Sequence, residues 1–366
     1  MGKSKTKSPE LGDFRTKIDA LDARIVQLLN QRADYAIRIA DIKRGANLRF
    51  HSPEREQAVL DRATELNRGP FPNDALKVIF REIISASLSL EEPLRVAYFG
   101  PEGTFTHLAA LRHFGSSAHY IPAASIKTVF DTVEAGKADY GLVPIENSNE
   151  GVVSYTLDMF MDYDLKICAE ESMEISHNLL SRSGVKAKVK KIYSHPQPFA
   201  QCRGWLEANM HGIPVVEATS TANAAELAAK DADAAAIASE LASRLYGLKF
   251  IEKNIEDNKY NVTRFLVITK EFPAKSGADK TSIMFSLKDK PGALFEVLLP
   301  FKQAKINLTK IESRPSRRRA WEYIFFADMV GHIDDKKVKK AIEDVKEHCF
   351  YLKHLGSYPL EERADR

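Results

Sequence analysis

Two cations stand where a helix should be oily. Stepping by four and three from Phe14 gives Ile18, Leu21, Ile25, Leu28, Arg32, Tyr35, Ile39 and Ile42, a heptad seam over about four repeats that only Arg32 interrupts. Lys43 follows three turns later on nearly the same face, about 16 Å along the axis, so both long side chains can converge on one small anion. Arg15 cannot join them in its own chain. It lies about 25 Å from Arg32 along the helix, further than a metabolite extends, and only an antiparallel partner helix brings an Arg15 to that pocket. Downstream, Arg55 and Glu56 are adjacent, and Ser87 and Glu91 fall in line with Phe80 and Ile83. On spacing alone, a bundle whose basic side chains snorkel to water explains the same pattern.

A second group of residues suits a carboxylate ligand. RVAYFGPEGTFTHLAA (95–110) reads as a strand, a glycine-rich turn and a helix opening near Thr104 to Thr106, whose first amides can hold an anion. It lacks the second glycine spacing of a dinucleotide fingerprint and the lysine of a phosphate loop. DYGLVPIENS (139–148) is a strand ending in Glu146, Asn147 and Ser148. KKIYSHPQPFAQC (190–202) repeats that design with Ser194, His195, Gln197 and Gln201. STANAAELAA (220–229) opens a capped helix around Thr221, and DNKYNVTRFLVI (257–268) enters a strand through Thr263, Arg264 and Phe265. Polar clusters at strand ends of an α/β sheet are where ligands bind. Taken singly, each is also a cap, a turn or a satisfied surface residue.

Three segments position these groups. Residues 13–89 carry helical spacing only: a long helix from an Asp13 cap to Gly45, then two shorter ones from Ser52-Pro53 to about Asn67 and from Asn73-Asp74 to about Ser89, together able to cover the first. From 95 to 269, β-rich runs alternate with helices. Residues 272–280 have linker composition. Beyond them the order is strand 281–287, helix 292–303, strand 306–313, strand 321–329, helix 335–347 and strand 350–357, a ferredoxin-like βαββαβ split. The expected domains are 10–92, 94–272 and 280–359. The fold class is multidomain: an all-α domain, an α/β domain and an α+β ferredoxin-like domain.

Composition excludes several functions. The 366 residues hold 53 basic and 50 acidic side chains, a net +3, which gives no reason to expect a nucleic-acid binder. No apolar run reaches the roughly 18 residues of a membrane span and no secretory signal opens the chain, so a cytoplasmic location is expected. Cys168, Cys202 and Cys349 are scattered, against both disulfides and a metal site. MGKSKT loosely matches a myristoylation start at Gly2, but a solvated basic tail or expression remnant is the plainer reading.

FRTKIDALDARIVQLLNQRADYAIRIADIK, SPERE and FREIISASLSLE together resemble the helical chorismate mutase domain at the N-terminus of bifunctional prephenate dehydratases, over about 80 residues. The resemblance implies a site shared across a swapped homodimer. Arg15 of the partner copy and Arg32 would hold the two carboxylates of chorismate. Lys43 and Glu91 would bind the ether oxygen, Glu56 the hydroxyl, and Arg55 and Ser87 would complete the lining. Glu91 stands where glutamine is common, and Ser52 where a carboxylate also occurs. The chemistry is a pericyclic rearrangement of a dianion, which needs no nucleophile. A folded conformer and charge aimed at the developing enolate-like oxygen suffice.

GPEGTFTH, PIENS, SHPQPFAQC, STANAA and NVTRF resemble the prephenate dehydratase domain in its own order, over about 175 residues. The resemblance implies two lobes around a cleft, like a periplasmic binding protein, with crossings near Glu171 to Ile175 and near residue 250. Prephenate would lose its ring hydroxyl and carbon dioxide together, giving phenylpyruvate. Thr263 would donate to the departing hydroxyl, either as the acid or by hydrogen bonding while another group or water supplies the proton. Arg264 would bind carboxylate or orient Thr263. Glu146, Asn147, Ser148 and Gln201 would line the cleft, with Thr104, Thr106, Ser194, Thr221 and Phe265 as further contacts.

Residues 281–358 resemble an ACT regulatory domain. PGALF (291–295) and IESRP (311–315) match phenylalanine-binding signatures, which implies Gly292, Ala293, Leu294, Glu312, Ser313, Arg314 and Pro315 as effector contacts. Helix-start amides would meet the carboxylate, and Glu312 with neighbouring carbonyls the ammonium. Arg317, Arg318 and Arg319 read as solvated. The resulting expectation is a bifunctional mutase and dehydratase in phenylalanine biosynthesis, inhibited by phenylalanine, with neither metal nor organic cofactor, and a homodimer or larger. The rival reading is an amino-acid-responsive binding protein without chemistry.

Overall fold

The computed structural model describes residues 9–46, 51–288, 290–316 and 323–360; Gly2, Arg317, Arg318 and Arg319 lie outside them. The described residues fall into two compact units. One takes those up to Ser52 with Val59–Leu94 and Gly115–Ala118. The other takes Pro53–Ala58, Arg95–Phe114 and the described residues from His119 onward. No helix among the described residues is long and apolar enough to cross a membrane.

The first unit is built on α1 (Pro9–Gly45), α3 (Asn73–Glu91) and the part of α2 (Pro53–Leu66) from Val59 onward. The long helix starts ahead of Asp13, which is therefore a helical residue and not its cap; Pro9, with φ already fixed, suits the first turn. Gly45 ends it. The face of α1 turned inward carries Ala36 and Ala40, both buried, flanked by half-buried Arg32 and Lys43, while Leu60, Ala63 and Ile84 complete the buried set. The heptad seam is not covered. Phe14 is 60% exposed, Leu21 58% and Ile42 69%. This corrects the expectation that the two shorter helices cover the long one. Helices of 14 and 19 residues reach about 21 and 29 Å, against about 56 Å for the 37 residues of α1.

The second unit holds three sheets. In the first lobe, β1 (Arg95–Phe99), β2 (His119–Ala123), β3 (Tyr140–Asn147), β4 (Gly151–Val152), β5 (Lys166–Glu174) and the late strand β11 (Val262–Thr269) form one sheet of order β2-β1-β3-β11-β5, with β4 beside β3. Helices α4 (Phe105–Phe114), α5 (Ile126–Glu134) and α6 (Ser154–Asp162) accompany it. The second lobe contains β6 (Asn178–Ser181), β7 (Lys191–Ser194), β8 (Val215–Glu217), β9 (Ala234–Ala238) and β10 (Lys249–Glu252), in the order β10-β6-β9-β7-β8. Its helices are α7 (Pro196–Gln201), α8 (Arg203–Asn209), α9 (Thr221–Lys230) and α10 (Glu240–Tyr246). Every residue of β9, AAAIA, is buried, as a central strand covered on both faces requires. The chain crosses between lobes at 175–177 and returns through 253–261, later in both cases than expected, because β5 and β10 continue their ladders past the anticipated exits.

The third sheet has β12 (Asp279–Leu287), α11 (Ala293–Gln303), β13 (Leu308–Pro315), β14 (Tyr323–Val330), α12 (Lys336–His348) and β15 (Cys349–Pro359), with strand order β13-β14-β12-β15. This is the anticipated βαββαβ split. One face, with Ile283, Phe285, Ala327 and Met329, packs on α11 and α12 through Val297, Phe301, Val338 and Val345. The other face adds Met284, Ile324, Phe326, Leu355 and Tyr358 to the core of the first lobe. Contact there is close enough to demand glycine. A Cβ on Gly356 would lie 2.1 Å from the Ile167 carbonyl oxygen.

Candidate functional site

In the helical unit, about three turns of α1 and the end of α3 bring four of the expected residues together. Nη1 of the Arg32 guanidinium donates to Ser87 Oγ, which itself donates to the Ile83 carbonyl at 2.7 Å. Lys43 Nζ stands 4.0 Å from Glu91 Oε2, an atom that is buried and has no hydrogen-bond partner among the described residues. Burial pushes the Glu91 carboxyl above its ordinary pKa; Lys43 and Arg32 pull the other way and only partly offset this. Two cations beside a carboxyl inclined to keep its proton can hold an anion and donate to it. Arg55 and Glu56 occupy the first turn of α2, and Arg15 lies on the exposed stretch of α1.

Between the lobes, β3 and β11 end side by side, with Thr263 paired to Asn147 and Arg264 to Glu146. Alternation along a strand sends the two pairs to opposite faces. On the first face, Asn147 Oδ1 accepts the backbone amides of Asn149 and Glu150, both at 3.0 Å, so its amide nitrogen is forced toward Thr263 Oγ1 at 2.8 Å and Asn261 Oδ1 at 2.7 Å. Thr263 oxygen thus accepts from Asn147, and its own proton is left to donate elsewhere. Gln201, ending α7, joins from the second lobe. Its Oε1 accepts from Asn261 at 3.1 Å and faces His177 Nε2 at 2.8 Å, while its nitrogen donates to Glu150 at 3.2 Å.

The second face differs from expectation. Arg264 does not point to the Thr263 side and neither does Glu146. Arg264 Nη2 meets Asp328 of β14 at 2.9 Å, while its Nε stands 3.6 Å from Glu170 and its Nη1 4.0 Å from Glu146. Lys310 of β13 binds Glu146 at 2.6 Å, and Lys280 of β12 binds Glu170 at 2.5 Å. Burial opposes the Arg264 charge, but Asp328 and Glu170 outweigh it and raise the pKa. Three cations and three carboxylates balance between the first-lobe sheet and the third sheet.

Other expected contacts sort by burial. Thr104 caps α4, donating to the Pro101 carbonyl at 2.9 Å and accepting the His107 amide at 3.3 Å. Thr106 and Thr221 are buried at the starts of α4 and α9. Ser148 donates to the Tyr260 carbonyl at 2.8 Å and accepts the Val262 amide at 3.0 Å, pinning the loop before β11. Ser194 is buried, donates to the His195 carbonyl, and borders a cavity of about 510 Å³ within the second lobe, with Phe199, Arg203, Met210 and His211. Phe265 is 1% exposed and is a core residue, because it points away from Arg264 into packed strands.

The effector residues also part company. Glu312 pairs with Phe326 and Arg314 with Ile324, residues of the face packed on the first lobe, and Arg314 binds Asp158 at 3.1 Å. Gly292, in the left-handed region at φ 79°, Ala293 and Leu294 open α11 on the opposite face. Ser313 and Pro315 are exposed. Within one chain, the Glu312 side chain and the α11 amides therefore do not meet around a single ligand, contrary to expectation.

Sequence reasoning passed over His177 and Asn261. Asn261 lies inside the NVTRF approach, and ISHNLL places a histidine where the chain changes lobes. His177 is 2% exposed, with the Phe105 ring edge-on at 5.4 Å. A polar residue in a crossing segment was the available signal.

A two-lobed α/β body with polar strand ends meeting between its lobes, a βαββαβ sheet against one lobe and a cation-bearing helical unit define a multidomain enzyme for small carboxylates with an attached regulatory module. Residues 14–92 match the family model for chorismate mutase type II, 96–273 that for prephenate dehydratase and 281–347 that for the ACT domain. A bifunctional chorismate mutase/prephenate dehydratase of Aquifex aeolicus (strain VF5) is 51% identical over 354 residues, 96% of this chain and 98% of that one. Another from Stutzerimonas stutzeri is 45% identical over 360 residues, 97% and 99% of the two chains. A solved prephenate dehydratase from Arthrobacter aurescens in complex with L-Phe is similar with TM-score 0.67 at 36% identity, over 73% of this chain and 90% of that one. The chain belongs to the bifunctional chorismate mutase/prephenate dehydratase family. It is an enzyme of phenylalanine biosynthesis that makes prephenate from chorismate and phenylpyruvate from prephenate.

Proposed function

We propose that domains 10–92, 94–272 and 280–359 carry the mutase, the dehydratase and a phenylalanine sensor, and that Thr263 is the dehydratase's donor to the departing ring hydroxyl. The observation that carries the assignment is the Asn147 amide, fixed by two backbone N–H groups so that it must donate to Thr263. A threonine oxygen that accepts one hydrogen bond has its proton free for the leaving group. Gln201 and Asn261 present further amides beside it for the substrate's carboxylates, and aromatisation of the ring drives hydroxide and carbon dioxide out together. Arg264 acts from behind, holding its strand through Asp328 rather than touching substrate. Thr263→Val in the full chain is expected to convert chorismate to prephenate and stop there. Undiminished phenylpyruvate would remove Thr263 from the role.

The mutase reading rests on Arg32, Lys43 and Glu91, with Arg15 supplied by a second copy. The uncovered α1 seam supports a homodimer: its eight exposed apolar side chains of heptad spacing are of little use to a monomer, since each large apolar group buried is worth about 1.5–3 kcal/mol. Phenylalanine is the proposed effector, supported by the ACT match and by the solved relative that holds L-Phe. Because Glu312 and the α11 amides of one chain lie on opposite faces, the effector site is proposed to use neighbouring copies or the α11 amides with backbone of β13. The six-charge network gives inhibition a physical route. Lys310 and Asp328 grip Glu146 and Arg264, the sequence neighbours of Asn147 and Thr263.

A further inference from the structure

The amides between the lobes fix more than Thr263. Oxygen and nitrogen in Asn147 are settled by the backbone amides of Asn149 and Glu150, which can only donate. Its nitrogen therefore donates to Asn261 Oδ1 at 2.7 Å, so Asn261 must use its own nitrogen toward Gln201 Oε1 at 3.1 Å. That oxygen accepts, and the remaining neighbour at 2.8 Å, His177 Nε2, must then carry a proton. Burial, opposed only in part by Gln201 and Glu256, lowers the His177 pKa and keeps the ring neutral, which leaves Nδ1 bare. Nδ1 is indeed buried with no hydrogen-bond partner among the described residues. The ring cannot turn over without losing its one bond. Its backbone amide is tied to Glu256 at 2.8 Å and its carbonyl to Ile255 at 2.8 Å, and Phe105 from α4 closes the other side.

We infer that His177 is a positioning residue of the dehydratase: its Nε2–H anchors the Gln201 amide and so sets the donor and acceptor pattern that runs through Asn261 and Asn147 to Thr263. It touches no substrate. It sits in the segment joining the lobes, so the amide row is completed by the same backbone that fixes where one lobe gives way to the other. Without this donor, Gln201 Oε1 keeps only Asn261, its side chain gains a second orientation, and the row loses its single arrangement. This inference rests on the Thr263 reading given above for its consequence, but not for the His177 to Gln201 contact.

The test uses the full chain with prephenate as substrate. His177→Met removes the donor at similar volume, and His177→Gln returns an N–H close to the Nε2 position. The Met variant is expected to lose about five- to tenfold in kcat, what one hydrogen bond is worth, with KM within about twofold and mutase activity retained. The Gln variant should recover most of the loss. In a Gln201→Met background, His177→Met should cost nothing further, since the two act as one unit. Losses that multiply, or a Gln variant no better than Met, overturn the inference. Should the Met variant not fold, nitrogen-15 NMR of the wild-type histidines decides it: a ring protonated on Nε2 with Nδ1 bare supports the assignment, and an Nδ1–H ring refutes it. Thr263→Val with full activity would sink the Thr263 reading alone, leaving the coupling of His177 to Gln201 measurable.

Discussion

Glu91 should make the mutase alkaline-sensitive. Its carboxyl is raised in pKa chiefly by burial, its Oε2 has no hydrogen-bond partner among the described residues, and Lys43 stands 4.0 Å away. A protonated carboxyl donates to the ether oxygen as charge develops there; an ionised one cannot donate and repels that charge. An acid with a raised pKa holds its proton until pH climbs through the raised value, so the donating form prevails below that value and is lost above it. Mutase kcat/KM should therefore fall with pH, by up to tenfold per unit. The fall is finite because Lys43 remains as a donor. Losing one hydrogen bond to a charged acceptor is worth about 1.5–3 kcal/mol, so the alkaline plateau should lie about 10- to 150-fold below the acid one. Glu91→Gln donates at every pH and should give a flat profile. The assay follows prephenate formation from chorismate from acid to mildly alkaline pH, in a Thr263→Val background so that prephenate accumulates. Parallel profiles for the two chains would refute the reasoning, since both would then titrate at some other group.

Arg15→Ala and Arg32→Ala should each abolish most mutase activity, yet recover part of it when mixed and allowed to exchange, because α1 sets the two about 25 Å apart and the site would draw them from different copies. No recovery in demonstrably mixed dimers would count against a shared site. Lys310→Met should weaken phenylalanine inhibition several-fold while calorimetric binding of phenylalanine persists, since it cuts one grip of the third sheet on the dehydratase strands. Inhibition of wild-type strength in that variant would exclude this contact as the route.

Local pattern was enough for the architecture. Heptad spacing in 14–42, strand and helix alternation from 95 to 269 and the βαββαβ order after 280 are short-range properties, because burial of one face repeats with the period of the element that carries it. Asn147, Gln201 and Thr263 were legible for the same reason, as polar residues at the ends of apolar runs. What sequence spacing left open was which face each side chain takes once strands from distant parts of the chain pair. Arg264 follows Thr263, yet the register of β11 against β3 and β5 turns it to three carboxylates, one of them Asp328, 64 positions further on. Glu312 and Gly292 are separated by the sheet that lies between them, although both motifs read as one binding signature. His177 acquires its meaning only from Gln201 and Asn261, which other segments deliver. Composition and period depend on neighbours along the chain, whereas tautomer, ion pairing and the sharing of a site depend on neighbours in space, and tertiary packing alone decides those.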